Sequence, residues 1–269
     1  MRKIILFLPL TLLAADLKQS LTFRATFDGG TDAQVAKGDK SIYFAPDYKV
    51  QASAVKGLGT APVELAKGQG RKGDALRFTA KNTAAVFYKA DGNVAFDGKG
   101  WTGTVSFWLN LNPDEDLAPG YCDPIQVTDK AYNDSAIWVD FTKDDKPRNF
   151  RLGVFGGLKT WNPKNLEPDT NPAFNGRLVW VKKPPFARGQ WTHVAVTHAA
   201  LGGGKGSAKL YLNGKLQGTT PAIAEGFAWD RALGAIRLGL NYTGLMDDIA
   251  VFNRELTEKE VAQIAAGKF

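Results

Sequence analysis

Asp247 and Asp248 stand side by side at the start of the apolar run Met246–Phe252. Two carboxylates in that setting are costly unless something cationic meets them. Strand alternation puts Asp247, Ile249 and Val251 on one face and Met246, Asp248, Ala250 and Phe252 on the other. Neighbouring carboxylates on opposite faces do not chelate one ion from a regular strand. Two further acidic pairs, Glu115 with Asp116 and Asp140 with Asp144, read more simply as solvated loop or strand-end charges. The two histidines, His193 and His198, are five apart in one strand and face opposite sides, which rules out a shared metal. Gly-x-Ser-x-Gly, Cys-x-x-Cys and His-Glu-x-x-His are all absent. Gly68–Gly73 matches the dinucleotide glycine spacing, but it opens a strand rather than a phosphate-binding helix. The single Cys122 excludes an intramolecular disulfide and suits a small core position.

Ring-face recognition offers a different chemistry. A sugar site needs an aromatic platform and a few polar groups or an ion for the hydroxyls. Trp108, Trp138 and Trp191 lie inside strands, where a large aromatic is usually buried. Trp161, Trp180 and Trp229 fall in or near loops and are the better platforms, with Tyr121 and Tyr132 beside them. Arg151 projects from its strand opposite Phe150 and Leu152, placed to reach a carboxylate or sulfate in a groove.

These residues hang on a chain of short strands. Leu21–Phe27, Gly73–Phe78, Ala85–Tyr88, Thr104–Leu111, Ser135–Phe141, Asn149–Phe155, Leu178–Val181, Gln190–His198, Ala208–Leu212 and Ala235–Leu240 all read as strands. In Thr104–Leu111, Val105, Phe107, Leu109 and Leu111 share a face. Asn213-Gly214 suits the two positive φ angles of a tight hairpin. Residues 33–72 carry little pattern, and residues 112–134 and 159–176 read as long loops. After the last strand, Thr257 and Glu260 have capping-box spacing, Leu256 and Val261 the spacing of a hydrophobic staple, and Gly267 a stop. Recurrent strands with one terminal helix predict a two-sheet antiparallel sandwich or jelly roll in one domain, residues 16–269.

The first fifteen residues predict an address. Arg2 and Lys3, the apolar stretch Ile4–Leu13 and Ala14-Ala15 have the form of a secretory signal peptide. The apolar stretch falls short of the about 20 residues that span a bilayer, so a secreted or periplasmic protein without membrane insertion is expected. Cleavage after Ala15 removes two basic residues and lowers the net charge of +7. The remaining basic residues are scattered, without the dense stripe of a nucleic-acid binder.

Six segments together resemble the concanavalin A-like lectin/glucanase superfamily in its laminin G-like jelly-roll branch. They are Phe27–Gly29, Gly73–Phe78, Val105–Leu109, Gly189–Ala195, Lys209–Lys215 and Gly244–Leu256, in the family's order. The resemblance implies two curved antiparallel sheets whose first and last strands lie side by side. It also implies a structural Ca²⁺ at that junction, held by Asp247 with Asp28 and the Gly29 or Gly30 backbone, and Asp248 as a second ligand or as the partner of a basic residue. The Glu-x-Asp-x-x-Glu pattern of the superfamily's glucanases is absent. The expectation is therefore an exported, non-catalytic module that binds a polysaccharide or glycan. A protein-interaction or adhesion module is the alternative, with a cell-surface or extracellular protein as partner. A divergent polysaccharide hydrolase or lyase is the second alternative.

Overall fold

A computed structural model describes residues 16–269. The signal-like segment, residues 1–15, lies outside the described residues. In chain order the strands are β1 (Leu21–Ala25), β2 (Val35–Ala36), β3 (Ile42–Ala45), β4 (Val55–Lys56), β5 (Val63–Ala66) and β6 (Ala75–Phe78). Next come β7 (Ala85–Lys89), β8 (Trp101–Asn110), β9 (Cys122–Thr128), β10 (Ala136–Phe141), β11 (Phe150–Phe155) and β12 (Val179–Val181). The last are β13 (Thr192–Leu201), β14 (Ser207–Leu212), β15 (Lys215–Thr219), β16 (Ala235–Leu240) and β17 (Gly244–Phe252).

They form two antiparallel sheets. Sheet A runs β15-β14-β13-β8-β17-β1-β2, with β6 also on β17 and β5 on β6. Sheet B runs β12-β11-β10-β9-β16-β7-β3-β4. The first and last long strands are neighbours, Phe23 opposite Val251 and Ala25 opposite Ile249, as a jelly roll requires. Between the sheets lies the main core. Sheet A contributes Phe23, Val105, Phe107, Leu109, Val194, Val196, Ile249 and Val251 to it, and sheet B contributes Ile125, Val127, Ile137, Val139, Phe150, Leu152, Ile236 and Leu238. Every second residue of each strand points inward, so the other half must find cover or face solvent.

Sheet A finds cover. The helix Glu258–Ala265 lays Val261 and Ile264 against Ala195, Tyr211, Ala250 and Phe252 on the sheet's outer face. Its start is the expected capping box: the Thr257 hydroxyl accepts from Glu260 N–H, and the Glu260 carboxylate accepts from Thr257 N–H. Leu256 and Val261 are buried in the same cluster, and Gly267 takes φ 70°. Asn213 and Gly214 turn β14 into β15 with φ 49° and 77°.

Three sequence expectations need correction. Residues 33–72 contain the four-residue strands β3 and β5, too short among glycines and lysines to show a period. The supposed loop 112–134 contains β9, a central strand of sheet B. Pro124 within it gives no ladder N–H. A bulge accommodates it: Ile125 pairs with Val139 and Cys122 with Phe141, so Asp123 and Pro124 together oppose Asp140. Strict alternation also fails in β17. Asp247 opposes Trp108 and Ala250 opposes Ser106, one residue too many, and Asp248 absorbs the excess at φ 50°. Beyond this bulge the phase flips, so Met246 shares the core face with Ile249 and Val251.

Candidate functional site

The β9 bulge builds the site on the outer face of sheet B. It aims Asp123 toward Asp140, the residue it opposes on β10. Across the other ladder Asp140 is paired with Arg151 of β11, and Arg151 with Trp180 of β12. Three neighbouring strands therefore present a carboxylate, a guanidinium and an indole in one row. Arg151 donates from Nε to Asp140 Oδ1 at 2.8 Å and from Nη2 to Oδ2, a bidentate contact. Its guanidinium also lies 4.8 Å from the Tyr121 ring centre, 4.9 Å from that of Trp180 and 5.8 Å from that of Trp138. One turn of the pleat away, Trp138 opposes Gln126, whose amide donates to Asp123.

These side chains enclose a concavity of about 230 Å³, lined by Tyr121, Asp123, Tyr132, Trp138, Asp140 and Arg151 among others. Its charges are unlike those of a surface. Burial, then the charge of Asp140, raise the Asp123 carboxyl to about 8, against the pull of Gln126 and Arg151. Burial raises Asp140 as well, but the Arg151 fork opposes it. The bidentate contact with Arg151 favours the charged form of Asp140, while burial favours the protonated form of Asp123. The floor thus offers a neutral acid, a paired carboxylate and an amide beside aromatic faces.

Of the six residues expected to meet a sugar, Tyr121, Tyr132, Arg151 and Trp180 converge here. Tyr132, 37% exposed, lines the concavity, and Trp180, 40% exposed, stands outside its lining against the Arg151 guanidinium. Trp161 and Trp229 do not join them. Trp161 is buried between Phe155 and Phe174, its indole N–H donated to Asn133 O at 2.9 Å. Trp229 stacks on Phe96 with ring centres 4.1 Å apart and donates to Ser135 O. Both serve as packing because their N–H groups find carbonyls and their faces find other rings. Arg151 was expected to seize a ligand anion, but its cross-strand neighbour Asp140 already occupies the fork. The polar and aromatic lining residues that sequence reasoning did not assign to a sugar include Asp123, Gln126, Trp138 and Asp140. An alternation count on Cys122–Thr128 places Gln126 on the face opposite Ile125 and Val127 but puts Asp123 on their side; the bulge alone turns Asp123 outward.

The other candidate centre lies on sheet A. Asp247 is buried, its Oδ2 accepting from Arg71 N–H at 2.7 Å and its Oδ1 without a hydrogen bond among the described residues. Asp248 instead meets Arg24, with bonds of 2.8 and 3.2 Å. Asp28 accepts from Asp74 N–H, and the Asp74 carboxylate accepts from Gly29 and Gly68 N–H. The Gly30 N–H reaches back to Phe27 O. Segment 68–74 thus ties the first-strand turn to Asp247. Among the described residues no group of three His, Cys, Asp or Glu is placed to hold a metal. The histidines are interior: His193 meets Ser106 Oγ at 2.8 Å, His198 packs against Trp101, and burial lowers both to about 3.

Among the described residues no helix is long and apolar enough to cross a membrane. No curated protein matches the sequence at a significant level. Similar solved structures include domain 4 of an extracellular family 43 arabinanase from Geobacillus stearothermophilus in complex with arabinotriose. That match has 16% identity and a TM-score of 0.56, and covers 91% of this chain and 98% of that one. Botulinum neurotoxin type C, whose cell entry depends upon interaction with two ganglioside molecules, matches at 14% identity and TM-score 0.60, over 94% and 52%. The serotype D ligand-binding domain in complex with N-acetylneuraminic acid matches at 13% and 0.56, over 95% and 53%. This chain spans about half the length of those two neurotoxin chains. At such identities the likeness shows the fold. A family profile described as concanavalin A-like lectin/glucanases superfamily matches residues 81–262, and the chain belongs to that superfamily in its laminin G type.

Proposed function

We propose that this protein is a carbohydrate-binding module whose site is the concavity on the outer face of sheet B. The observation that carries the reading is the row Asp140–Arg151–Trp180 with Tyr121, Trp138 and Asp123 around it. Aromatic faces suit the apolar side of a sugar ring, and the carboxyl and amide groups suit its hydroxyls. Because Asp140 neutralises Arg151 and Asp123 is protonated, the pocket favours an uncharged sugar. Structural neighbours seen with arabinotriose, N-acetylneuraminic acid or a ganglioside dependence support saccharide binding as a class. The test is calorimetric titration of neutral oligosaccharides. A saccharide bound by the native protein and lost with Trp180→Ala and Tyr121→Ala supports the site, and binding unchanged by both substitutions removes it.

A second reading, turnover of the bound saccharide, draws on Asp123 and Asp140 sharing the concavity with different protonation. Glycoside hydrolysis uses two carboxyl groups with separated pKa values. Turnover abolished by Asp123→Asn with binding retained would establish it. A protein-interaction role has no comparable feature behind it and would be tested by co-purification from culture medium.

Two further parts of the proposal concern address and stability. The signal-like N-terminus supports export, tested by N-terminal sequencing of protein recovered from the medium or periplasm. The unpartnered Asp247 Oδ1 supports a structural Ca²⁺ beside segment 68–74, with Asp247 and backbone carbonyls near Gly29 and Gly30 as its oxygens. Asp248 and the Asp28 carboxylate are already engaged. A bound ion would neutralise the buried carboxylate and tie the first-strand turn to the last strand. A melting temperature indifferent to both chelator and added Ca²⁺ would remove the ion.

A further inference from the structure

Sheet B has a second concavity on the same face. Gln126, which lines the first, is opposite Arg237 of β16, and directly opposed residues project to the same side. Arg237 forms the floor of a space lined by Tyr48, Lys49, Gln51, Asp129 and Lys130. It is 5% exposed, yet no carboxylate lies within ion-pair distance of it among the described residues. Its Nε donates to Gln51 Oε1 at 3.0 Å and its Nη1 to Lys130 O at 2.8 Å. Nη2 has no acceptor among the described residues. The guanidinium sits 4.7 Å from the Tyr48 ring centre, and the buried Tyr48 hydroxyl also has no hydrogen-bond partner among the described residues.

A buried cation without a counter-charge and a buried hydroxyl without an acceptor both ask for an anionic oxygen. The surrounding charges agree, because Lys49 and Lys130 stand with Arg237 against the single carboxylate of Asp129. Lys130 Nζ is 3.4 Å from Asp129 and donates to Ala228 O, so its ammonium is held at the rim. Asp129 is spoken for within the fold: Oδ1 faces Lys130 Nζ at 3.4 Å and Oδ2 accepts from Asp230 N–H at 2.8 Å. An anion site beside a saccharide pocket describes an acidic sugar. We infer that the concavity around Arg237, Tyr48, Lys49 and Lys130 is a second subsite, which binds the carboxylate or sulfate of an acidic saccharide. The anion site stands on its own residues; its assignment to a saccharide rests on the reading of the adjoining pocket.

The experiment titrates an oligogalacturonide, the matching neutral oligogalactoside and inorganic sulfate into the protein by calorimetry. The oligogalacturonide binds at least about 10-fold tighter than its neutral counterpart and weakens as salt is raised. Tyr48→Phe weakens it by about 5- to 10-fold without lowering the melting temperature, because the lost hydroxyl has no partner in the fold. Lys49→Ala weakens it less, and inorganic sulfate competes with it. Arg237→Gln would also abolish the site, but Tyr48→Phe keeps the test valid if that variant does not fold. Equal affinity for the neutral and acidic oligomers, or oligogalacturonide binding untouched by Tyr48→Phe and Lys49→Ala, overturns the inference. Sulfate binding without oligogalacturonide binding overturns the saccharide assignment. If Trp180→Ala changes nothing while Tyr48→Phe acts, the first pocket is misread and this subsite stands.

Discussion

The outer faces of the two sheets began with the same problem and solved it differently. Each carries the half of its strand residues that the core does not take. On sheet A the problem is closed except at Asp247, whose Oδ1 has no hydrogen bond among the described residues. The C-terminal helix covers the apolar residues, Arg254 is paired with Glu260 at its foot, and Arg24 holds Asp248 beside it. On sheet B the residues of strands β9–β11 and β16 stay beneath loops that leave two concavities. There the charges are also buried, but they face open space rather than a helix. The difference shows that burial alone does not separate a structural charge from a functional one. What separates them is whether the group's remaining hydrogen-bond capacity is met by the fold or left toward a cavity.

The sharpest way to break the comparison is to truncate one buried side chain on each face. Asp140→Ala strands the Arg151 guanidinium, which is nearly as buried as its partner. The loss of such a counter-charge costs about 3–5 kcal/mol in chemical denaturation. Leu256→Ala, on the closed face, opens a cavity beneath the helix and costs about 2–4 kcal/mol, while leaving saccharide affinity unchanged. A stability loss from Leu256→Ala that also removed binding would mean the two faces are not independent.

Acidity separates Glu260 from Asp123 by sign, while burial raises Asp247 on sheet A to about 7, in the same direction as Asp123. Glu260 is held down at about 2, first by its bonds from Arg254, so its stabilisation is complete above the ordinary carboxylate pKa and is lost as pH falls toward 2. Asp123 is raised to about 8, so the folded state binds its proton more tightly than the unfolded chain does. That contribution is complete at acid pH and is lost as pH rises from about 4 to about 8. Asp123→Asn should therefore flatten the alkaline side of the stability curve and Glu260→Gln the acid side, both read from denaturation midpoints across pH. The smallest expected effects are local. Thr257→Ala removes the helix cap and costs about 1 kcal/mol. Trp180→Ala, at an exposed edge, should change stability by less than about 0.5 kcal/mol while weakening a bound saccharide by about 10-fold.

Local chemistry explains what was legible in the chain. Whereas the pairing of the first and last strands came from the family resemblance, the cap at Thr257 and Glu260, the Asn213-Gly214 turn and the inward face of β8 followed from residues within a few positions or from a pattern repeated along a strand. So did the choice of Tyr121, Tyr132, Trp180 and Arg151 as surface candidates. The tertiary structure alone decided which of them meet. Arg151 lost its expected freedom because the β10–β11 register sets Asp140 opposite it, and register is a relation between strands. Trp161, at the end of the short helix Leu158–Trp161, and Trp229 lie outside the strands yet are packed, since burial there depends on what lies beneath. The two bulges mattered most. One extra residue in β9 turned Asp123 toward Asp140, and one in β17 separated Asp247 from Asp248 in a way no alternation count predicts. A bulge is defined by the partner strand it fails to match, and in a single sequence that partner is not adjacent.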